Sequence, residues 1–235
     1  ATYVAQYLNL PGPSIESVLT CQHKYYSRIA QSRYTPEATP RFGVINPDAV
    51  LESITTLPLD MPFFVKPIKA WFSFGAEYIY SYEQLLDVLP DIMPASCLLQ
   101  PFEDTLKKHA YQYGAHYLIA EEPLSGHQVN VEGYIHNGIV TIIGLVDAIM
   151  YPGTISFKRF EYPSSLPHTV QERIHDIVRR LVTGLGLNET FFNIELTYNP
   201  HSHNISIIEV NPRCATQFAD LYEKVDGFHT YDILL

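Results

Sequence analysis

The sequence is poor in charged residues and has no long apolar segment. Charged residues make up 17% of the 235 residues, whereas hydrophobic residues make up 46%. This balance is typical of a globular protein with a sizeable core and excludes a disordered chain. No apolar run approaches the roughly 20 residues that cross a bilayer, and the first ten residues lack the charged head and apolar stretch of a signal peptide. We therefore expect no membrane partner.

Basic residues and cysteines are also scarce. There are 15 Lys and Arg against 25 Asp and Glu, which gives a formal net charge of -10. Because phosphate backbones are bound by basic surfaces, this charge argues against a nucleic-acid partner. The cysteines, Cys21, Cys97 and Cys214, are odd in number and form no CxxC motif. They fit free thiols better than disulfides or a zinc site, which favours a cytoplasmic location.

The most informative stretch of the chain runs from residue 191 to residue 213. The alternating runs FFNIELTY and ISIIEVNPR flank the polar turn NPHSHN, which predicts an antiparallel β-hairpin. Side chains along a strand alternate between its two faces. The residues that strict alternation places on the face with the acids are Asn193, Glu195 and Thr197 in the first strand and Ile207, Glu209 and Asn211 in the second.

This arrangement predicts a metal site. Glu195 is expected opposite Glu209, with Asn211 and Arg213 beyond them, and two carboxylates that face each other destabilise a sheet. A cation between them reverses that cost, and carboxylate and amide oxygens suit Mg²⁺, with Mn²⁺ as a substitute. The alternative is a half-exposed sheet whose acids face water. The order of two Glu, an Asn and an Arg favours Glu195, Glu209 and Asn211 as metal ligands.

The pattern FNIEL…IIEVNPR resembles the metal-binding hairpin of the ATP-grasp superfamily, especially of its carboxylate–amine ligases and biotin-carboxylase-like members. Two other stretches are similar to parts of this family. FFVKP and the loop IKAWFSFGA resemble the phosphate-binding lysine and its flap, and LIAEEPLSG resembles the hinge whose backbone binds adenine. The resemblance implies an α+β fold, the ATP-grasp fold, with two lobes of mostly antiparallel sheets that grip ATP between them.

The resemblance also implies a division of the chain and a set of nucleotide contacts. Residues 1–40 would be a helical lead-in from a missing upstream domain, 41–120 the first lobe with the flap, and 121–235 the second lobe with the metal hairpin. The residues it implies for ATP binding are Lys24, Lys66, Ser73, Gly75, Glu121, Glu122, Leu124 and Gln128. The two lysines would hold phosphates, the backbone of Glu121 and Leu124 would bind adenine, and Gln128 would reach the ribose. The alternative is that both lysines are solvated surface residues that bind no ligand.

The flap departs from the family pattern. Trp71 and Phe72 stand where glycine is usual, and glycine lets backbone N–H groups approach phosphates closely. Gln128 stands where relatives often have Glu, and it lacks the charge that strengthens a hydrogen bond to a hydroxyl. These departures favour an alternative in which the chain is a non-catalytic nucleotide-binding module.

The activity implied by the resemblance is an ATP- and Mg²⁺-dependent ligase. A carboxylate would be activated as an acyl phosphate and attacked by an amine, yielding an amide or peptide bond, ADP and phosphate. Arg213 would hold the carboxylate or acyl phosphate, because a guanidinium matches that shape. The partners would be a small-molecule carboxylate and an amine, with a homodimer as one alternative for the assembly. The alternatives are biotin-carboxylase-like carboxylation and a structural protein that merely keeps the fold.

A second predicted hairpin lies upstream of the first. VNVEGYI, the turn HisAsnGly and IVTIIGLVDAI alternate in the same way. Glu132 and Asp147 lie in these strands and either line the site or face solvent. The following stretch, GTISFKRFEYPSSLP, is predicted to be a surface loop.

Overall fold

The computed structural model describes residues 1–52, 56–71, 73–92 and 96–234. Phe72 lies outside these residues, as does the side chain of Cys97. The chain forms two compact units, which we describe separately. The first unit comprises Ala1–Cys21, Ala30–Thr39 and Ser125–Leu235, and the second comprises Gln22–Ile29 and Pro40–Leu124. None of the described helices combines the length and hydropathy of a bilayer span.

Helices and strands alternate irregularly along the chain. The helices are α1 (Thr2–Tyr7), α2 (Ile15–Gln22), α3 (Lys24–Tyr34), α4 (Pro47–Leu51), α5 (Tyr82–Ile92), α6 (Ser96–Lys108), α7 (His168–Gly184), α8 (Ala219–Asp226) and α9 (Thr230–Leu234). The strands are β1 (Phe42–Ile45), β2 (Phe63–Pro67), β3 (Glu77–Ile79), β4 (Leu118–Glu121), β5 (His127–His136), β6 (Ile139–Met150), β7 (Phe157–Glu161), β8 (Thr190–Tyr198) and β9 (Ile205–Asn211).

The second unit is built on an antiparallel sheet with strand order β1-β4-β2-β3. Its central strand β4 is buried along its whole length. Apolar side chains of β2 and β4 pack against α5, where Leu85 and Leu89 form the buried stripe of the helix. Gln84 and Ser81 begin α5, since the Gln84 N–H donates to Ser81 Oγ at 3.2 Å. This sheet ends at the segments predicted to contact a nucleotide.

The first unit contains an antiparallel sheet with strand order β7-β6-β5-β8-β9. One face of the sheet packs on α7, whose buried stripe includes Ile174, Val178 and Leu181. The predicted hairpin of β5 and β6 is confirmed, and Asn137 and Gly138 form its turn with φ values of 51° and 76°. Part of the stretch predicted to be a surface loop, Phe157–Glu161, instead forms β7, because it pairs with the end of β6. The expectation of mostly antiparallel sheets is confirmed.

A bulge in the second predicted hairpin corrects the face assignment made from the sequence. Glu195 pairs with Glu209 as predicted, but Leu196 pairs with Ile207, so Ile208 is an extra residue in β9. Ile207 is therefore wrong as a member of the acidic face, because it packs into the core with Leu196. In a strand without the bulge, Ile207 and Glu209 would share one face. A core position for Ile207 would then place Glu209 in the core as well. The bulge keeps both acids on one face.

A close approach of strands in the first unit gives a stability prediction. A Cβ atom on Gly133 would lie 2.3 Å from the Thr141 carbonyl oxygen and 2.5 Å from the Phe192 ring. We expect Gly133→Ala to lower the free energy of unfolding by roughly 2 kcal/mol, because buried strands must separate to admit the methyl group. Urea unfolding measures this. Gly12→Ala is the control, with an expected effect within about 0.5 kcal/mol, and equal midpoints for the two variants would contradict the prediction.

Candidate functional site

A buried ion-pair network surrounds Lys66 at the end of β2. Lys66 Nζ lies 2.7 Å from Glu121 Oε2, and Arg28 Nε donates to Glu121 Oε1 at 2.7 Å. All three side chains are buried. Burial alone would raise the pKa of Glu121, but the charges of Arg28 and Lys66 lower it to about 2. Lys66 is therefore held in place, and the Glu121 side chain is committed to the interior of its unit.

Arg28 was not identified from the sequence as a site residue. It lies four positions after Lys24 on α3, so the two residues share one face of the helix. The only sign of Arg28 in the sequence was its spacing from Lys24, and two cations at this spacing are common on solvated helices. The tertiary contact with Glu121 is what distinguishes Arg28 from a surface arginine.

Lys24 begins α3 beside the segment that follows Lys66. Its N–H donates to the Ile68 carbonyl at 3.2 Å, and its Nζ lies 3.5 Å from the Ala70 carbonyl. Lys69, a second residue missed in the sequence, is buried in the same segment. Its Nζ lies 5.2 Å from the centroid of the Trp71 ring, a cation–π distance. Lysines 24, 66 and 69 therefore occupy one region of the second unit.

The predicted flap is a tightly turned loop. Ser73 and Gly75 both have left-handed backbone conformations, with φ values of 57° and 67°. Gly75 is required here, because a Cβ atom would lie 2.2 Å from the Ile92 carbonyl oxygen. The Phe74 N–H donates to the Trp71 carbonyl at 3.0 Å. Trp71 itself is 46% exposed.

The predicted hinge follows β4. The Glu122 carboxylate accepts from the Arg41 backbone N–H at 3.0 Å and from Arg41 Nε at 2.9 Å. The Glu122 N–H in turn donates to the Arg41 carbonyl at 2.9 Å. The Glu122 side chain thus ties the hinge to the start of β1, and Leu124, half-buried, ends the unit.

The predicted metal ligands lie on the polar face of the sheet in the first unit. Glu195 and Glu209 are directly paired, and Asn193 pairs with Asn211 two residues along, in the next row on the same face. Glu195 and Glu209 are half-buried and Asn211 is buried. Gln128, predicted to reach a ribose, donates its Nε2 to Glu195 Oε2 at 3.1 Å. The structure therefore brings the three predicted ligands together and adds Gln128 beside one of them.

Glu132 continues this polar face and is completely buried. It pairs with Asn193 across β5 and β8. Its Oε1 accepts the Ala215 N–H at 3.0 Å, whereas no hydrogen bond of normal geometry reaches its Oε2 from the described residues. Burial raises the pKa of Glu132 to about 7, against the opposing effects of the Ala215 N–H, the Asn193 side chain and the Arg213 charge.

Asp147 is also completely buried, so neither acid of this hairpin faces solvent. It lies beside Val129 in the register of β5 and β6, on the core face of the sheet. Its carboxylate accepts from the hydroxyl groups of Ser164 and Ser165 and from the Ser165 N–H. These bonds give Asp147 a structural role in fixing the chain after β7.

Arg213 lies just after β9 and is exposed. Its Nη1 donates to the Cys214 carbonyl at 3.2 Å. The segment of residues 212–215 carries it from Asn211 to the short 3-10 helix Thr216–Phe218. Arg213 is therefore close in the chain to a predicted metal ligand and accessible to a substrate.

The Glu121 network predicts acid sensitivity. Because the folded pKa is lowered from 4.5 to about 2, the pairing stabilises the fold above pH 4.5, and this contribution is lost as the pH falls toward 2. Glu121→Gln removes the carboxylate charge that the buried Arg28 and Lys66 share, and we expect it to cost roughly 3–5 kcal/mol at pH 7. Urea unfolding from pH 7 to pH 3 measures both effects. Glu122→Gln, next to it in an exposed pair, is the control, and equal losses would contradict the prediction.

Glu132 predicts the opposite pH dependence. Its folded pKa is raised from 4.5 to about 7, so its ionisation destabilises the fold as the pH rises from 4.5 through 7, by up to roughly 3 kcal/mol. Glu132→Gln removes this cost. We expect the variant to be more stable than the wild type at pH 8 but not at pH 5, in urea unfolding without divalent cations. The same difference at both values would show that Glu132 does not titrate in this range.

Comparison with known proteins identifies the family. A family model described as an ATP-grasp domain matches residues 59–221, more than half of the chain. D-alanine–D-alanine ligase of Anaplasma marginale (strain Florida) is 22% identical over 176 residues, which cover 73% of this chain and 46% of that protein. The chain thus spans about half the length of the curated relatives it matches.

Solved structures show the same fold. L-amino acid ligase from Bacillus licheniformis has a TM-score of 0.70 and 18% identity, covering 94% of this chain and 48% of that chain. D-alanyl-alanine synthetase A from Vibrio cholerae O1 biovar eltor has a TM-score of 0.71 and 14% identity, covering 99% of this chain and 69% of that chain. With the family match, these likenesses establish that the chain belongs to the ATP-grasp family and has its fold.

Proposed function

We propose that this protein is an ATP- and Mg²⁺-dependent ligase that activates a carboxylate as an acyl phosphate and joins it to an amine. The observation that carries the proposal is the direct pairing of Glu195 with Glu209, with Asn211 in the next row on the same face. Opposed carboxylates on a sheet repel each other unless a cation offsets their charge. Membership of a family that contains ligases supports the same activity.

The donor set fits magnesium. Glu195, Glu209 and Asn211 would hold the ion through carboxylate and amide oxygens, which are the hard ligands that Mg²⁺ prefers. When bound, the ion would neutralise charge on the nucleotide phosphates. Gln128 donates to Glu195, so it would orient that ligand in addition to any contact with the ribose.

The second unit would supply contacts to the nucleotide. Lys66 would bind the phosphate chain, and Arg28 would hold Lys66 in place through their shared partner Glu121. Lys24 would bind phosphate from the start of α3. Ser73 and Gly75 would shape the flap, as their left-handed conformations support. The backbone of Glu121, Glu122 and Leu124 would bind the adenine.

The chain's own residues would act by positioning. Arg213 would hold the substrate carboxylate in a fork of N–H donors while a carboxylate oxygen attacks the γ-phosphorus of ATP and ADP leaves. The amine then attacks the acyl carbon, phosphate leaves with the bonding pair of the C–O bond, and the amine gives up a proton. Positioning and electrostatics supply most of the rate in such steps, so no protein nucleophile is required.

The relatives suggest amino acids as the substrates. D-alanine–D-alanine ligase and L-amino acid ligase are both named for joining amino acids. We propose that the carboxylate and the amine both come from amino acids or from compounds that carry the same groups. A cytoplasmic location and a homodimer stay predictions from the sequence.

A second candidate is a non-catalytic nucleotide-binding module. Trp71 favours it, because the side chain replaces a flap glycine and its carbonyl accepts the Phe74 N–H. In this conformation that N–H is used within the loop. ATP binding without turnover would support this candidate over the ligase.

Calorimetric titration with a non-hydrolysable ATP analogue, with and without Mg²⁺, tests the proposal. We expect binding to weaken at least tenfold when Mg²⁺ is removed, and Glu209→Gln to lose the Mg²⁺ dependence because one carboxylate ligand is gone. Glu172→Gln, an exposed acid on α7, is the control and should bind as the wild type does. ADP release should then require a pair of amino acids. Tight binding that ignores Mg²⁺ in the wild type would refute the metal site.

A further inference from the structure

Glu132 lies at the centre of a cross-strand row that ends at the candidate site. Gly144, Glu132, Asn193 and Asn211 are paired in succession across β6, β5, β8 and β9. Glu132 and Asn193 are buried, and Asn211 is the last residue of β9. The row therefore connects a buried carboxylate to the strand end from which the Arg213 segment leaves.

The same carboxylate holds the far end of that segment. Ala215 is buried, its N–H donates to Glu132 Oε1 at 3.0 Å, and its carbonyl accepts the Phe218 N–H at 3.0 Å. Both backbone groups of Ala215 are thus fixed. Asn211 is fixed by strand pairing. The segment of residues 212–215, which includes the exposed Arg213, is therefore held at both ends by residues of the sheet.

We propose that Glu132 is a positioning residue that fixes the segment of residues 212–215 and thereby sets the orientation of Arg213 relative to Asn211. The inference rests on the proposed function for what Arg213 does to a substrate. Displacing a substrate-binding group by about 1 Å can slow catalysis by roughly 100-fold. We therefore expect loss of the buried hydrogen bond between Ala215 and Glu132 to lower the rate strongly.

A purely structural role does not explain the residue as well. A carboxylate buried at this depth is costly, and an apolar side chain would fill the same space at lower cost without accepting the Ala215 N–H. Besides the Ala215 N–H, the Asn193 side chain and the Arg213 charge lower the pKa of Glu132, and the charge of Glu132 raises the pKa of Cys214 and of Tyr222. What Glu132 adds to the packing is an acceptor for the Ala215 N–H.

Two substitutions separate the acceptor from the rest of the side chain. Glu132→Gln keeps an oxygen that can accept the Ala215 N–H, whereas Glu132→Ala removes it. Both remove the costly buried charge, so neither should fold less well at pH 8 through loss of an ion pair. Asp147→Asn is the matched control, because it changes a buried carboxylate on the core face of the same sheet.

The experiment combines hydrogen exchange of the segment with steady-state kinetics at pH 8. We expect Glu132→Ala to speed exchange of residues 212–218 at least tenfold and to lower kcat about 10- to 100-fold, with KM for ATP changed less than about twofold. Glu132→Gln should keep the wild-type exchange and a kcat within about threefold of it. Asp147→Asn should lower stability and leave kcat unchanged.

Two kinds of result in the variants would decide against the inference. Wild-type exchange or wild-type kcat in Glu132→Ala would show that the bond does not control the segment. A loss of kcat in Glu132→Gln equal to that in Glu132→Ala, with exchange unchanged, would mean that the charge itself acts in the reaction. A wild type without ATP turnover would overturn the proposed function alone, since the exchange of Glu132→Ala still decides whether Glu132 fixes the segment.

Discussion

The opposition of Glu195 and Glu209 across a two-strand ladder is the constraint on which the candidate site depends. Like charges at this position destabilise a sheet, so the surrounding structure must either separate them or give them a cation. The bulge at Ile208 keeps the two acids on one face, where strict alternation with a buried Ile207 would have separated them. Gln128 donates to Glu195 and relieves part of the repulsion. The bulge thus lets Ile207 pack into the core while Glu209 stays on the acidic face.

The two units treat a buried carboxylate in opposite ways. Glu121 is surrounded by Arg28 and Lys66 and stays ionised far below neutral pH. Glu132 receives one backbone N–H and lies near an exposed arginine, so its pKa rises toward neutrality. The first arrangement fixes Lys66, which we propose binds phosphate, and the second holds Ala215 at the end of the segment that we propose it positions. In each case the acid acts through the residue it holds and not by direct contact with a ligand.

Much of the fold could be predicted from the sequence because its signals are local. The Asn137–Gly138 turn and the pairing of the acids follow from residue type and spacing. Strand β7 was missed because it is short and mostly exposed, so it lacks alternation and is formed by pairing with β6. Lys69 was missed for another reason, since a buried lysine has no local signal.

The sequence by itself determined the chemistry available to this protein. The order of Glu195, Glu209, Asn211 and Arg213 fixes which carboxylate and amide oxygens and which guanidinium group lie on one hairpin, because strand periodicity is a local property. Only the tertiary structure decided which groups lose contact with water. Burial turned Arg28 into a support for Lys66 and Glu132 into an anchor for Ala215. Both depend on contacts between residues about 80 or more positions apart in the chain, and local patterns of charge and hydropathy carry no record of such contacts.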